Sequence, residues 1–329
     1  MRNLLEDMMM MRVCGPHPAL RRSSPLVMSG AAPYDFTLLT LQPTYTIADW
    51  GAARPIMEDL VAAAKAEPRL TYCGYATTRS TPDPTVLGDY SVAPGEDRLF
   101  CREAFPDAEA LLAHISTVQE QRKALVDGPG PAALEDLQLH GPAAALRECV
   151  ASGLLDGMGL AGCRFFETES GLSRLEKEWG GMPLPLQLLS LSTTFTVAED
   201  QGAEVGAICD EIVALATEEE NCLYCGWTRS GNQLCCREAY GSVVGLARHV
   251  AAVSSCLDRL LDGPATLDGG GELHASLDQA ADTSVSASRR RVASAVKVLQ
   301  QAVGALHVAE SGYSRYEVQQ SMFGFFFRR

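Results

Sequence analysis

The sequence predicts an α+β fold in which one β-α-β-β-α-β unit occurs twice and the two sheets cover each other. Three observations predict it. Blocks recur at a long interval: Leu70-Thr71-Tyr72-Cys73-Gly74-Tyr75 returns as Cys222-Leu223-Tyr224-Cys225-Gly226-Trp227, and Leu99 to Phe105 returns as Leu234 to Tyr240. Strand and helix patterns alternate in the same order in each copy. The repeated strand is apolar on both faces, with Leu99, Cys101, Glu103 and Phe105 on one side and Phe100, Arg102 and Ala104 on the other. A half-exposed sheet would show polar residues outward, so helices cover one face and the twin's sheet is the economical cover for the other.

The first copy reads in order as follows. Phe36 to Ile47 is a strand, and Asp49 caps a helix running to about Lys65, with Ala53, Ile56, Leu60, Val61 and Ala64 as its inward stripe and Pro68 past its end. Strands follow at Leu70 to Thr77 and Arg98 to Phe105. A helix begins near Asp107 and buries Leu111, Ile115, Val118 and Leu125, with Arg122 at the margin, until Asp127-Gly128-Pro129 stops it. Leu134 to His140 is a strand, Pro142 to Val150 a short helix and Cys163 to Glu169 a closing strand.

The second copy keeps this order with different accessory parts. The Pro- and Gly-rich insertion Ser80 to Asp97, a candidate lid, is replaced by a tight Ser230-Gly231-Asn232 turn, while Gly269-Gly270-Gly271 and a longer late helix near Val292 to Val303 are added. The expected organisation is an extension at 1–35, a first half at 36–178, a linker at 179–185, a second half at 186–317 and an apolar aromatic tail at 318–329 that packs on the domain.

Composition narrows the functional classes. The net charge of −14, from 27 basic and 41 acidic residues, disfavours nucleic acid as a partner, because phosphate recognition depends on Lys and Arg. No apolar run approaches the ~20 residues of a membrane span. The absence of acidic residues from Met8 to Pro33, together with its Arg and Ser, permits an organellar transit peptide; the default expectation is a cytoplasmic chain with a disordered extension. Among the 11 cysteines, those inside strands read as small buried hydrophobes in a reducing compartment. A zinc reading of Cys222, Cys225, Cys235 and Cys236 meets two objections. Strand positions three apart face opposite ways, and the first copy has Leu70 and Phe100 where the second has Cys222 and Cys235.

The run Phe100-Cys101-Arg102-Glu103-Ala104-Phe105, followed by a helix carrying His114, resembles the dimeric α+β barrel superfamily, and within it the antibiotic-biosynthesis-monooxygenase-like domains. Cys236-Arg237-Glu238-Ala239-Tyr240 with His249 repeats it. The resemblance implies two ferredoxin-like halves joined covalently into one pseudo-dimeric barrel, so that no second chain is needed to complete it. It also implies a small aromatic or quinol-like partner and either cofactor-independent oxidation by O2 or one of the family's other chemistries. A non-catalytic binding or assembly role, and an isomerase or lyase, are the alternatives.

The residues available for chemistry each carry two readings. His114 and His249 border the buried helix face; a neutral imidazole there would take a phenolic proton, or be a satisfied core histidine. Glu103 and Glu238 orient that histidine as an acid–base pair, or form ion pairs. Arg102 and Arg237 stabilise an oxyanion on the other face, or bridge the sheets. Tyr72, Tyr75, Tyr224 and Trp227 line an aromatic-binding pocket, or fill the core. His140 and His274 fall near strand ends, where the surface is the default. No cofactor is expected; heme would require His114 or His249 beside a large apolar pocket.

Overall fold

A computed structural model describes residues 38–69, 72–79, 98–153, 162–174, 189–241, 243–268, 272–275 and 317–327. The extension 1–35, the insertion 80–97, the triple glycine and the late helix of the second half lie outside the described residues. The described residues belong to one compact unit.

The first half runs β1 (Leu39–Ile47), α1 (Trp50–Ala66), β2 (Tyr72–Arg79), β3 (Arg98–Phe105), α2 (Ala108–Thr117), α3 (Gln119–Val126), β4 (Ala132–Gly141), α4 (Ala143–Ala151) and β5 (Arg164–Ser173). The second runs β6 (Leu189–Val197), α5 (Gly202–Thr217), β7 (Cys222–Ser230), β8 (Gln233–Tyr240), α6 (Val243–Leu261), β9 (Ala265–Leu267), β10 (Glu272–Ala275) and β11 (Glu317–Phe327). Asp49 caps α1 as expected, accepting from the backbone N–H groups of Gly51 and Ala52 at 2.8 and 3.2 Å. The helix expected after Asp107 is two helices. Thr117 Oγ1 donates back to the Ala113 carbonyl at 2.9 Å, a bond that bends helices, and Val118 leaves helical geometry at φ −97° and ψ 10°.

The eleven strands among the described residues belong to one sheet, in the order β10-β11-β2-β3-β1-β4-β5-β7-β8-β6-β9, and an additional β10–β6 pairing closes it into a barrel. β9 and β10 pair successive stretches of β6, so together they occupy the place that β4 has beside β1. The junctions between halves are equivalent. β5 runs parallel to β4 of its own half and antiparallel to β7 of the other; β11 runs parallel to β10 and antiparallel to β2. Each half thus lends its last strand to the other's sheet, which is the pseudo-dimeric α+β barrel. The aromatic segment expected as a packing tail is this closing strand, with Phe325 opposite Gly74 and Phe327 opposite Tyr72.

Alternate residues of each strand divide the interior into two layers. Leu39, Leu41, Tyr45, Leu99, Cys101, Phe105, Leu137 and Leu139 pack against Ala53, Met57, Leu60, Leu111 and Ile115 of the helices, forming the first half's apolar core. Burying each large apolar side chain of this kind contributes about 1.5–3 kcal/mol. The opposite faces of the same strands point into the barrel lumen, which is polar.

Candidate functional site

Two kinds of polar site follow from this division. The first lies between wall and helices and occurs once in each half. His114, on α2, is 1% exposed; its Nδ1 lies 2.8 Å from Glu67 Oε1 and its Nε2 lies 3.2 Å from Glu103 Oε1 on β3. In the second half His249, fully buried on α6, has Nδ1 3.3 Å from Glu219 and Nε2 3.3 Å from Glu238 Oε1 on β8. Tyr240 donates its hydroxyl to Glu238 Oε2 at 2.8 Å. Phe105 and Tyr240 set their rings beside the two imidazoles at 5.1 and 5.4 Å.

The structure therefore brings each expected Glu and His together and adds a second carboxylate, which changes the chemistry. Burial opposes the charge on His114, but the attraction of Glu103 and Glu67 outweighs it and raises the pKa to about 9. Burial likewise opposes the charge on His249, and Glu238 and Glu219 raise it to about 10. Glu238 moves the other way: burial would raise its pKa, and His249 holds it below the usual carboxylate range. Carboxylates on both sides of each imidazole favour its protonated form, a setting opposite to that of the neutral base expected at His114 and His249.

Glu67 and Glu219 were not singled out in the sequence, although a signal exists: each precedes its repeat's equivalent tyrosine, Tyr72 or Tyr224, by five residues. Cys222 is also placed unexpectedly. A bulge between Cys222 and Tyr224 sets Cys222 opposite Tyr240 and Cys225 opposite Glu238, so both thiols face the helices despite their spacing of three. Trp227 faces that side as well, packed on Phe195 at 5.8 Å, and does not line the lumen.

The second kind of site is the lumen. A cavity of about 220 Å³ is lined by Gln42, Thr44, Phe100, Arg102, Glu135, Asp136 and Gln138 of the first half and by Ser192, Thr194 and Arg237 of the second. Arg102 and Arg237 occupy equivalent positions in the repeat, as do Thr44 and Thr194, so the cavity lies where the two halves meet. Gln138 joins it to a network across the barrel. Its Oε1 accepts from Arg237 Nη2 at 2.8 Å and from His140 Nε2 at 3.0 Å, and its amide donates to Asp136, which also accepts from Arg164 at 2.7 Å. His140 Nδ1 meets Thr228 Oγ1 at 2.7 Å, and its ring stacks on Phe166 at 4.4 Å.

His140 corrects the surface assignment: it is 1% exposed. Burial and then the charges of Arg237, Arg102 and Arg164 push its pKa well below the ordinary histidine value, so it is neutral at pH 7. With Nε2–H donating to Gln138, its Nδ1 accepts from the Thr228 hydroxyl. Tyr224 also faces inward and folds its phenol over Gly226, where an added Cβ would lie 2.7 Å from the Tyr224 oxygen. The side chains of Tyr72, Tyr75 and His274 lie outside the described residues.

No family model matches the chain, and no curated protein is similar to it. Solved structures with similar folds include a candidate monooxygenase from Fusobacterium nucleatum, 12% identical, which covers 73% of this chain and 91% of its own at a TM-score of 0.48. A candidate monooxygenase from Lactobacillus acidophilus is also 12% identical, covering 72% of this chain and 91% of its own at 0.43. An anthrone oxidase-like protein is 10% identical, covering 74% and 94% at 0.37. These likenesses transfer no activity to the chain. No helix among the described residues is long and apolar enough to cross a membrane.

Proposed function

We propose that this chain binds a small phenolic or quinol-like molecule in the barrel lumen and holds it as an anion between Arg102 and Arg237. The observation that carries the reading is the cavity of about 220 Å³ into which the two halves present equivalent arginines. A cavity of ~150 Å³ already accepts benzene, so this one has room for a single substituted ring. Arg102 lies over the Phe100 ring, its Cζ 5.5 Å from the centroid, and Gln42, Thr44, Ser192 and Thr194 offer hydrogen bonds to several oxygens. A guanidinium beside a phenol favours its ionised form.

Oxidation of that electron-rich anion by O2 without a cofactor is the reaction we assign to the lumen, following the family resemblance of the Glu and His repeat. Glu103 with His114, and Glu238 with His249, then hold helix to wall and keep the lumen's shape; their contribution to the reaction is positional. Binding is tested by calorimetric titration of a series of catechols and hydroquinones into wild-type protein and into the double variant Arg102→Ala, Arg237→Ala. At least a tenfold loss of affinity, with the thermal midpoint nearly unchanged, is expected, and equal affinity would overturn the site. An oxygen electrode then separates the chemistry: uptake with a bound quinol supports oxidation, and binding without uptake leaves a ligand-binding protein. Turnover of the bound compound without oxygen would identify an isomerase or lyase.

A further inference from the structure

The helix layer of the second half holds a group of side chains that the lumen does not use. Cys225 Sγ, Glu238 Oε1 and His249 Nε2 converge within 4.8 Å of one another, and all three residues are buried. They come from three elements. Cys225 and Glu238 are directly opposite each other on β7 and β8, and His249 descends on them from α6. We propose that these residues form a binding site for a single divalent transition-metal ion, with zinc or cobalt as the chemical match.

Four features support the assignment. Thiolate, imidazole and carboxylate together are the donor set that zinc takes in proteins. The 3.3 Å between His249 Nε2 and Glu238 Oε1 is the edge expected when both atoms bind one ion at ~2.0–2.1 Å in a tetrahedron. His249 Nε2 is completely buried and makes no hydrogen bond there, although a carboxylate oxygen stands beside it. Finally, Glu219 faces the other ring nitrogen at 3.3 Å, where it would accept from Nδ1–H and turn the Nε2 lone pair toward the metal.

Metal binding would release the protons of the Cys225 thiol and of His249 Nε2 to solvent. Cys236, whose Sγ lies 3.4 Å from Glu238 Oε1 on the same strand face, is a further thiol beside the site. The set differs from the sequence pattern of four cysteines, since Cys235 faces the lumen side, 3.8 Å from Thr194.

The test uses the full chain produced in medium containing Co2+, with metal counted per chain and the absorption spectrum recorded. One cobalt per chain, with a near-ultraviolet thiolate-to-cobalt band and visible bands of tetrahedral cobalt, is expected. Cys225→Ser and His249→Gln should each abolish the thiolate band and lower the metal content at least tenfold. If His249→Gln does not fold, Cys225→Ser, which removes a sulfur and little volume, carries the test alone. A wild-type protein without the band would overturn the proposal, as would a band that survives Cys225→Ser. Zn2+ should displace the cobalt and erase the spectrum.

Discussion

On β3 and β8, neighbouring residues face opposite ways and solve opposite electrostatic problems. Glu103 and Glu238 point to the helices, where each meets a buried histidine, and the charges are enclosed by their own partners. Arg102 and Arg237, one position earlier, point into the lumen and line a cavity. An enclosed charge cluster holds helix to wall, while a charge beside a cavity can act on something that enters. The repeated Arg-Glu dipeptide thus places an enclosed charge and a cavity-lining charge back to back across one strand.

The sharpest way to break that contrast is to remove one member of the first-half cluster. His114→Ala would leave Glu67 and Glu103 facing each other without their cation, and loss of one partner in a buried ion pair costs about 3–5 kcal/mol. Urea unfolding should show this loss, whereas Arg102→Ala should shift the midpoint little. Equal destabilisation by the two variants would mean that the inner and outer faces do not divide the work in this way.

The lumen side gives the next largest effect, read in affinity. A charge-assisted hydrogen bond contributes about 1.5–3 kcal/mol, so each arginine accounts for roughly ten- to a hundredfold in binding of an anionic ring. Arg237→Ala also releases Gln138, whose carbonyl it shares with His140. It should therefore weaken binding at least as much as Arg102→Ala, in calorimetry with the same catechol. A loss confined to Arg102→Ala would place the ligand on the first half's side of the lumen.

Both faces were partly legible in the sequence, and the limits have physical causes. The strand period separates Arg102 from Glu103 and Arg237 from Glu238 at sight, because successive residues must alternate. The pairing of Glu with His followed from their repetition. The second carboxylate lay at a helix-to-strand turn, where no periodicity marks a residue as buried, and it adds to the stronger pull of the strand glutamate on the histidine's charge. Cys222 was misplaced because a bulge at its own position breaks the alternation from which its direction was read. His140 looked peripheral because it ends β4, but a closed barrel has no open edge there: β5 pairs beside it and brings Phe166 onto its ring. The exchange of β5 and β11 is likewise a property of closure that neither half displays alone.

The charge state of the outer cluster sharpens the comparison through pH. A free histidine titrates near 6.5, and His114 titrates at about 9 in the folded chain, so the folded state holds the proton more tightly. Its contribution to stability is complete below pH 6.5 and is lost as pH rises through 9. The urea midpoint should fall across that interval, and His114→Gln should flatten that part of the profile. His140 has the opposite setting: its folded pKa lies below the free value, so its neutral form contributes stability above pH 6.5 that fades as the solution becomes acidic. A urea midpoint that rises between pH 7 and 9 in the wild-type chain but not in His114→Gln would show that the imidazolium is not the favoured form.

The smallest expected effect compares the halves at the entrance to their first helices. Asp49 accepts two backbone N–H groups at the start of α1, whereas α5 begins after Gln201 with no side-chain cap and with Asp200 at φ 62°. Asp49→Ala should cost about 1 kcal/mol, the usual value of such a cap. The equivalent residue, Glu199, lies two residues before Gln201, so Glu199→Ala should change stability by less. A cap matters here because α1 leads directly to Glu67: if its first turn frays, the strain passes along one helix toward the carboxylate that holds His114. Hydrogen exchange at Gly51 and Ala52 measures that fraying. If Asp49→Ala accelerates exchange there and leaves the His114 titration at its wild-type position, the cap acts only on its own turn; a shift of that titration would tie the helix start to the buried cluster.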